Sequence, residues 1–155
     1  MPSFRGTSAA LLAALIGAVA APAQAVAAPA CPPTPADLLG PFYRPNAPVR
    51  TSVGKGHVLR GTVRSAADCR PVPGARVELW LAGPNGYDDD HRATVIADAE
   101  GRYLFESELP GPFERRPPHI HLRVAHPGYQ RLVTQHYPAQ GQAEGTFDLV
   151  LSPAR

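Results

Sequence analysis

From His57 onward, apolar residues recur at every second position, and Gly, Pro, Asn or Asp break the pattern at short intervals. An amphipathic helix needs a period near 3.6 held over at least three turns, so this alternation leaves helices little room and specifies strands with one buried face. The runs predicted as strands are His57 to Val63, Ala75 to Ala82, Ala93 to Ala97, Tyr103 to Glu106, His119 to Ala125, Arg131 to Gln135 and Thr146 to Leu151. Turn signals separate them at Pro73-Gly74, Pro84-Asn85-Gly86, Asp98-Ala99-Glu100-Gly101, Pro110-Gly111-Pro112 and Pro127-Gly128. Seven short strands at this spacing predict an all-β chain folded as a two-layer β-sandwich, with Trp80, Tyr103 and Phe105 as core aromatics.

The 155 residues suffice for one domain, and the two ends narrow it further. Residues 1–25 carry one basic residue, Arg5, then the apolar run Ala9 to Ala20, then Ala21-Pro22-Ala23-Gln24-Ala25 with small residues at the −3 and −1 positions of a signal-peptidase site. The run is shorter than the ~20 residues that span a bilayer. An export signal cleaved after Ala25 is therefore expected, leaving a secreted or periplasmic protein with no membrane segment after cleavage. Residues 26–36 read as a Pro/Ala-rich linker, and residues 37–155 as the sandwich domain. The two cysteines, Cys31 and Cys69, lie in the exported part, where an oxidising compartment favours their pairing as a disulfide. A Cys/His zinc site is the weaker alternative, because neither cysteine has a second ligand at the short spacings such sites use. The net charge is +2 and the longest basic run is Arg115-Arg116, which argues against nucleic acid as a partner.

The residues best suited to chemistry are in Arg116-Pro117-Pro118-His119-Ile120-His121. On a strand, His119 and His121 project from one face while Ile120, Leu122 and Val124 face the other way into the core. Two imidazoles side by side on a rigid strand can grip one metal ion. The same alternation also describes a polar pair facing solvent, so H-x-H alone leaves both readings open. His91 follows Asp88-Asp89-Asp90, which reads as a solvated turn, and His57, His126 and His136 read as structural.

Two resemblances bear on these residues. Gly61-Thr62-Val63, Pro73 to Trp80 and Asp98 to Phe105 are similar to the G-x-V, P-x-x-G-A and D-x-x-G-x-Y-x-F segments of transthyretin-like sandwich modules, which implies a scaffold and no particular chemistry. More widely, from Cys31 to Leu151 the chain resembles the intradiol ring-cleavage dioxygenases of the compact extracellular type. The matching segments are Thr34-Pro35 with Gly40-Pro41-Phe42-Tyr43, Cys69 to Ala75 with Val77 to Trp80, Gly86-Tyr87, Arg116 to His121, and Thr134-Gln135-His136-Tyr137. They occur in family order.

The resemblance implies an intradiol dioxygenase core holding a non-haem Fe(III) ion between two tyrosinates and two histidines. Carried onto this sequence, it makes Tyr87, His119 and His121 metal ligands and puts Arg116 and Gln135 in the substrate pocket. A hard ferric ion suits phenolate oxygen and imidazole nitrogen, and an always-charged arginine suits the anionic centre that develops during ring attack. Phe113 departs from the pattern, standing where the resemblance places the second tyrosinate. Candidates to replace that ligand are Glu114, His91, Tyr43, Tyr129 and Tyr137. The expected function is cleavage of a catechol-like aromatic diol with O2. The alternative is a protein on the same scaffold that binds copper, zinc or a polyphenol without opening a ring.

Overall fold

The computed structural model describes residues 31–155. The expected export signal and residues 26–30 of the expected linker lie outside the described residues. All named elements are strands: β1 (His57–Ser65), β2 (Arg76–Leu81), β3 (Arg92–Ile96), β4 (Arg102–Ser107), β5 (Ile120–Ala125), β6 (Leu132–His136), β7 (Glu144–Thr146) and β8 (Leu149–Leu151). They form two sheets of four, as the alternation predicts. One runs β4-β1-β7 with β8 also paired to β1, and the other runs β3-β2-β5-β6. Their inner faces meet in one core that includes Leu59, Val63, Leu79, Phe105, Ile120, Leu122, Val124 and Leu149. Burying such aliphatic and aromatic side chains contributes roughly 1.5–3 kcal/mol each.

The strand predicted over Thr146 to Leu151 is two strands. β7 pairs in parallel with Val58 to Arg60, and β8 pairs in parallel with Val63 to Ser65. Between them the chain crosses β1 at Gly61, where a Cβ would stand 2.0 Å from the Phe147 carbonyl oxygen. Only glycine permits that approach. The crossing is pinned by Tyr103, whose hydroxyl donates to the Phe147 carbonyl at 2.6 Å, and by the Thr62 N–H, which donates to Asp148 Oδ1 at 2.8 Å.

Trp80 is buried, as expected, but not in the inter-sheet core. Leu79 and Leu81 take the inner positions of β2, so alternation turns Glu78 and Trp80 to the outer face. That face is covered from residue 35 onward by residues 31–50, an arm without a named strand whose first residues bond instead to Ala66 and to Val150 of β8. The Asp37 N–H donates to the Val133 carbonyl at 2.9 Å, and the Tyr43 hydroxyl donates to Glu78 Oε2 at 3.1 Å. The buried Glu78 carboxylate is paired with Arg123, whose guanidinium also lies over the Tyr43 ring. At its start the arm is held by the expected disulfide, Cys31 to Cys69, with Cα atoms 5.4 Å apart. Closing a loop of 38 residues removes denatured-state entropy worth about 4 kcal/mol in the chain-entropy account.

Candidate functional site

His119 immediately precedes β5, and His121 is its second residue. Ile120 and Leu122 are fully buried in the core, so the register turns both imidazoles to the outer face, beneath the arm. Tyr87 reaches them from the loop between β2 and β3. Its hydroxyl lies 2.9 Å from His119 Nε2 and 3.1 Å from His121 Nε2, and the two Nε2 atoms are 3.1 Å apart. The three residues that the sequence marks as ligands are thus brought to one point.

The protons of this triangle do not balance. His119 Nδ1 lies 2.7 Å from the Pro117 carbonyl, which can only accept, so Nδ1 carries the hydrogen and Nε2 of the neutral ring a lone pair. Burial pushes the pKa of both histidines down, that of His121 to about 4, with the neighbouring His119 acting in the same direction. Tyr87 has one hydrogen, and His121 Nε2 at most one, for three contacts. A cation would resolve the shortfall, since donors about 2.0–2.1 Å from one ion stand about 3 Å from one another in adjacent positions. Burial raises the Tyr87 pKa, so its phenol stays protonated unless a cation favours the anion. Among the described residues no group of three or more His, Cys, Asp or Glu side chains could hold a metal ion, and here the third donor is a phenol.

Around the triangle lies a cavity of about 120 Å³, lined by the three donors with Gly40, Pro41, Phe42, Phe113, Glu114 and Arg116. Phe42 stacks on Tyr87, with centroids 4.4 Å apart and planes at 11°, and Phe113 stands edge-on to both rings at 5.4 and 5.1 Å. Gly40 has φ +72°, and a Cβ there would stand 3.1 Å from the His121 ring, so the arm reaches the site where it has no side chain. On its other side His121 is backed by Trp80, whose ring is parallel to it within 4°. Larger surface hollows, such as one of about 420 Å³ beside Arg60, Tyr103 and Asp148, offer no comparable donor set.

Arg116 lines this cavity, and Gln135 stands behind it. Arg116 Nη2 donates to Gln135 Oε1 at 2.8 Å, and Gln135 Nε2 donates to the Leu38 carbonyl at 2.6 Å. Of the possible replacement ligands, only Glu114 lines the cavity. Tyr43 is bonded to Glu78, His91 to Asp88, and Tyr137 to Arg116 and Asp37, while Tyr129 packs on His126. Sequence reasoning missed Phe42, Gly40 and Trp80 as walls of the site. The alternation of β2 could have revealed Trp80, because Leu79 and Leu81 already claim the inner face.

A family model, Dioxygenase_C, described as "Dioxygenase", matches residues 44–152. Catechol 1,2-dioxygenase of Candida albicans is 32% identical over 146 residues, covering 69% of this chain and 48% of that protein. Catechol 1,2-dioxygenase 2 of Acinetobacter lwoffii is 33% identical over 138 residues, covering 66% of this chain and 50% of that protein. The chain spans about half the length of these curated relatives. Among solved structures, the dioxygenase domain of a dioxygenase carbohydrate-binding protein fusion from Streptomyces sp. SirexAA-E superposes with a TM-score of 0.69 at 27% identity, covering 79% of this chain and 99% of that one. Chlorocatechol 1,2-dioxygenase from Pseudomonas putida shares the fold, with a TM-score of 0.65 at 23% identity, covering 73% of this chain and 70% of that one. By sequence match, sandwich topology and the Tyr-His-His triangle together, this chain belongs to the intradiol dioxygenase family.

Proposed function

We propose that the protein is an exported non-haem Fe(III) dioxygenase that cleaves a single-ring aromatic diol between its hydroxyls. The observation that carries this reading is the convergence of Tyr87, His119 and His121 within about 3 Å of one another, short of hydrogens and beside an arginine. Catechol-cleaving relatives, each named as a 1,2-dioxygenase, support it. These three residues would hold the ferric ion, which supplies a centre that the diol chelates and that makes its ring reactive to dioxygen.

The remaining side chains have roles that their positions support. Phe42 and Phe113 offer aromatic edges and faces to one ring, and the cavity of about 120 Å³ suits a single ring. The Arg116 guanidinium, always charged, stabilises the diol anion and the negative charge that develops on it. Glu114 at the rim is placed to accept a proton from the incoming diol. The net reaction joins one diol and one O2 into a muconate-type diacid, breaking the ring C–C bond and keeping both oxygen atoms in the product.

Phe113 favours a second reading. It presents a hydrocarbon to Tyr87 where the family resemblance places another phenol, so one protein ligand and one proton acceptor are absent. With too weak a donor set for iron, the same pocket would bind copper, zinc or a polyphenol without ring opening. Metal analysis, a visible spectrum and oxygen uptake with catechol separate the two. Stoichiometric iron, a tyrosinate charge-transfer band and a ring-opened product are expected, and zinc or copper with unchanged catechol would support the second reading. Export is part of the proposal, and mass spectrometry of secreted material should show a chain starting near Val26.

A further inference from the structure

Four polar side chains form one hydrogen-bonded cluster that runs back from Arg116 at the cavity. Arg116 Nη2 donates to Gln135 Oε1 and, at 2.9 Å, to the Tyr137 hydroxyl. That hydroxyl lies 2.8 Å from Asp37 Oδ2 and 3.0 Å from Gln135 Oε1. The other Asp37 oxygen accepts the Leu38 N–H at 2.6 Å, and the Leu38 carbonyl takes the Gln135 amide hydrogen. The Gln135 amide is therefore committed at both ends. Its oxygen faces Arg116 and its nitrogen faces the arm, and the side chain is 4% exposed.

The phenol can accept from the guanidinium while donating to the carboxylate, so charge and geometry run in one direction from Arg116 to Asp37. Without the hydroxyl, Arg116 keeps a single side-chain partner and regains freedom about its long stem. Two residues beyond Leu38 the same arm becomes the Gly40 to Phe42 wall of the cavity. One chain of hydrogen bonds thus fixes both the arginine and the arm against a common support. We propose that Asp37 and Tyr137 are positioning residues for Arg116, holding its guanidinium at the cavity and locking it to the arm that forms the adjoining wall. This rests on reading the cavity as the diol site, and the first measurement below does not depend on that reading.

The test uses phenylglyoxal labelling of the purified mature protein, with peptide mass spectrometry reading Arg116 and, as an internal reference, the exposed Arg115. Tyr137→Phe and Asp37→Ala should each raise the Arg116 labelling rate about fivefold, the size expected for one lost hydrogen bond, and leave Arg115 unchanged. Asp37→Asn retains an acceptor and should restore most of the protection. In parallel, kcat/KM for catechol should fall about fivefold in the first two variants and recover in the third. Equal Arg116 labelling in wild type and both variants would overturn the positioning role. Failure of the wild type to cleave catechol would instead count against the dioxygenase reading and leave the labelling result standing.

Discussion

The Trp80 indole lies flat on the His121 imidazole, with centroids 4.9 Å apart and planes 4° from parallel. Trp80 is the chain's single tryptophan, so its emission reports one place only, the back of the His121 ring. Adding Fe(III) or Cu(II) to the metal-free protein should quench that emission in a saturable way, and His121→Ala should remove most of the response. If metal analysis finds the ion bound while the emission stays constant, the ion is not on His121.

Ligand truncation should act on the metal and spare the fold. His119→Ala and His121→Ala are each expected to weaken metal binding about 100-fold, because two donors remain where three converge. Tyr87→Phe should bleach any visible band. All three variants should keep the far-ultraviolet circular dichroism of the sandwich, since the core face of β5 is Ile120, Leu122 and Val124. Full metal occupancy in the single-histidine variants would move the site elsewhere.

At Phe113 the expected change is a gain. Its ring stands 5.1 Å from that of Tyr87 and lines the same cavity, so Phe113→Tyr would add a second phenol within reach of the donor triangle. The variant, loaded with iron, should show a deeper charge-transfer band and roughly hundredfold higher catechol turnover, the lower end of what one positioned proton acceptor contributes. Oxygen uptake measures it. An identical spectrum would mean that position 113 does not face the ion.

Away from the site, the structure brings together two histidines that the sequence leaves apart. His57 on β1 and His136 on β6 stack at 5.9 Å, and each has a buried Nε2 without a hydrogen-bond partner. Burial pushes the His136 pKa down to about 4, with His57 acting in the same direction. The unfolded chain titrates near 6.5, so between those values it binds the extra proton and the folded state does not. His136 should therefore contribute nothing against stability above about pH 6.5 and a loss of about 2 kcal/mol as pH drops toward 4, allowing for the partial exposure of the ring. Urea denaturation across that range should show the slope, and His136→Gln should reduce it, leaving the part that the buried His121 contributes over the same window.

These contrasts mark what was legible in the sequence. The sheets were, because alternation is local, and so was the His119 and His121 pair, because two residues on one strand share a face whatever the rest does. Tyr87 needed the family resemblance, since nothing within its loop points to an imidazole 32 residues away. The pairing of His57 with His136, the stacking of Phe42 on Tyr87, and the chain from Arg116 through Tyr137 to Asp37 join segments far apart in sequence. No periodicity encodes them. The split of the last strand followed from one close approach, that of Gly61 to Phe147, which a single strand's pattern cannot reveal.

The arm over the outer face of the β3-β2-β5-β6 sheet can be viewed in the terms of molecular recognition. It lies along the sheet much as a bound peptide would: Asp37 N–H bonded to the Val133 carbonyl, Tyr43 set against Trp80, and Phe42 inserted at the mouth of the cavity, while Thr34 N–H bonds the Val150 carbonyl of β8 in the other sheet. The backbone already tethers one end of the arm at residue 51, and the Cys31 to Cys69 bond ties down the other, so neither end is free to leave the sandwich. Reducing the bond would leave every contact chemically intact and yet lower the share of molecules in which they are made. The oxidation state of a sulfur pair on the far side of the arm would then govern how often the pocket has its wall.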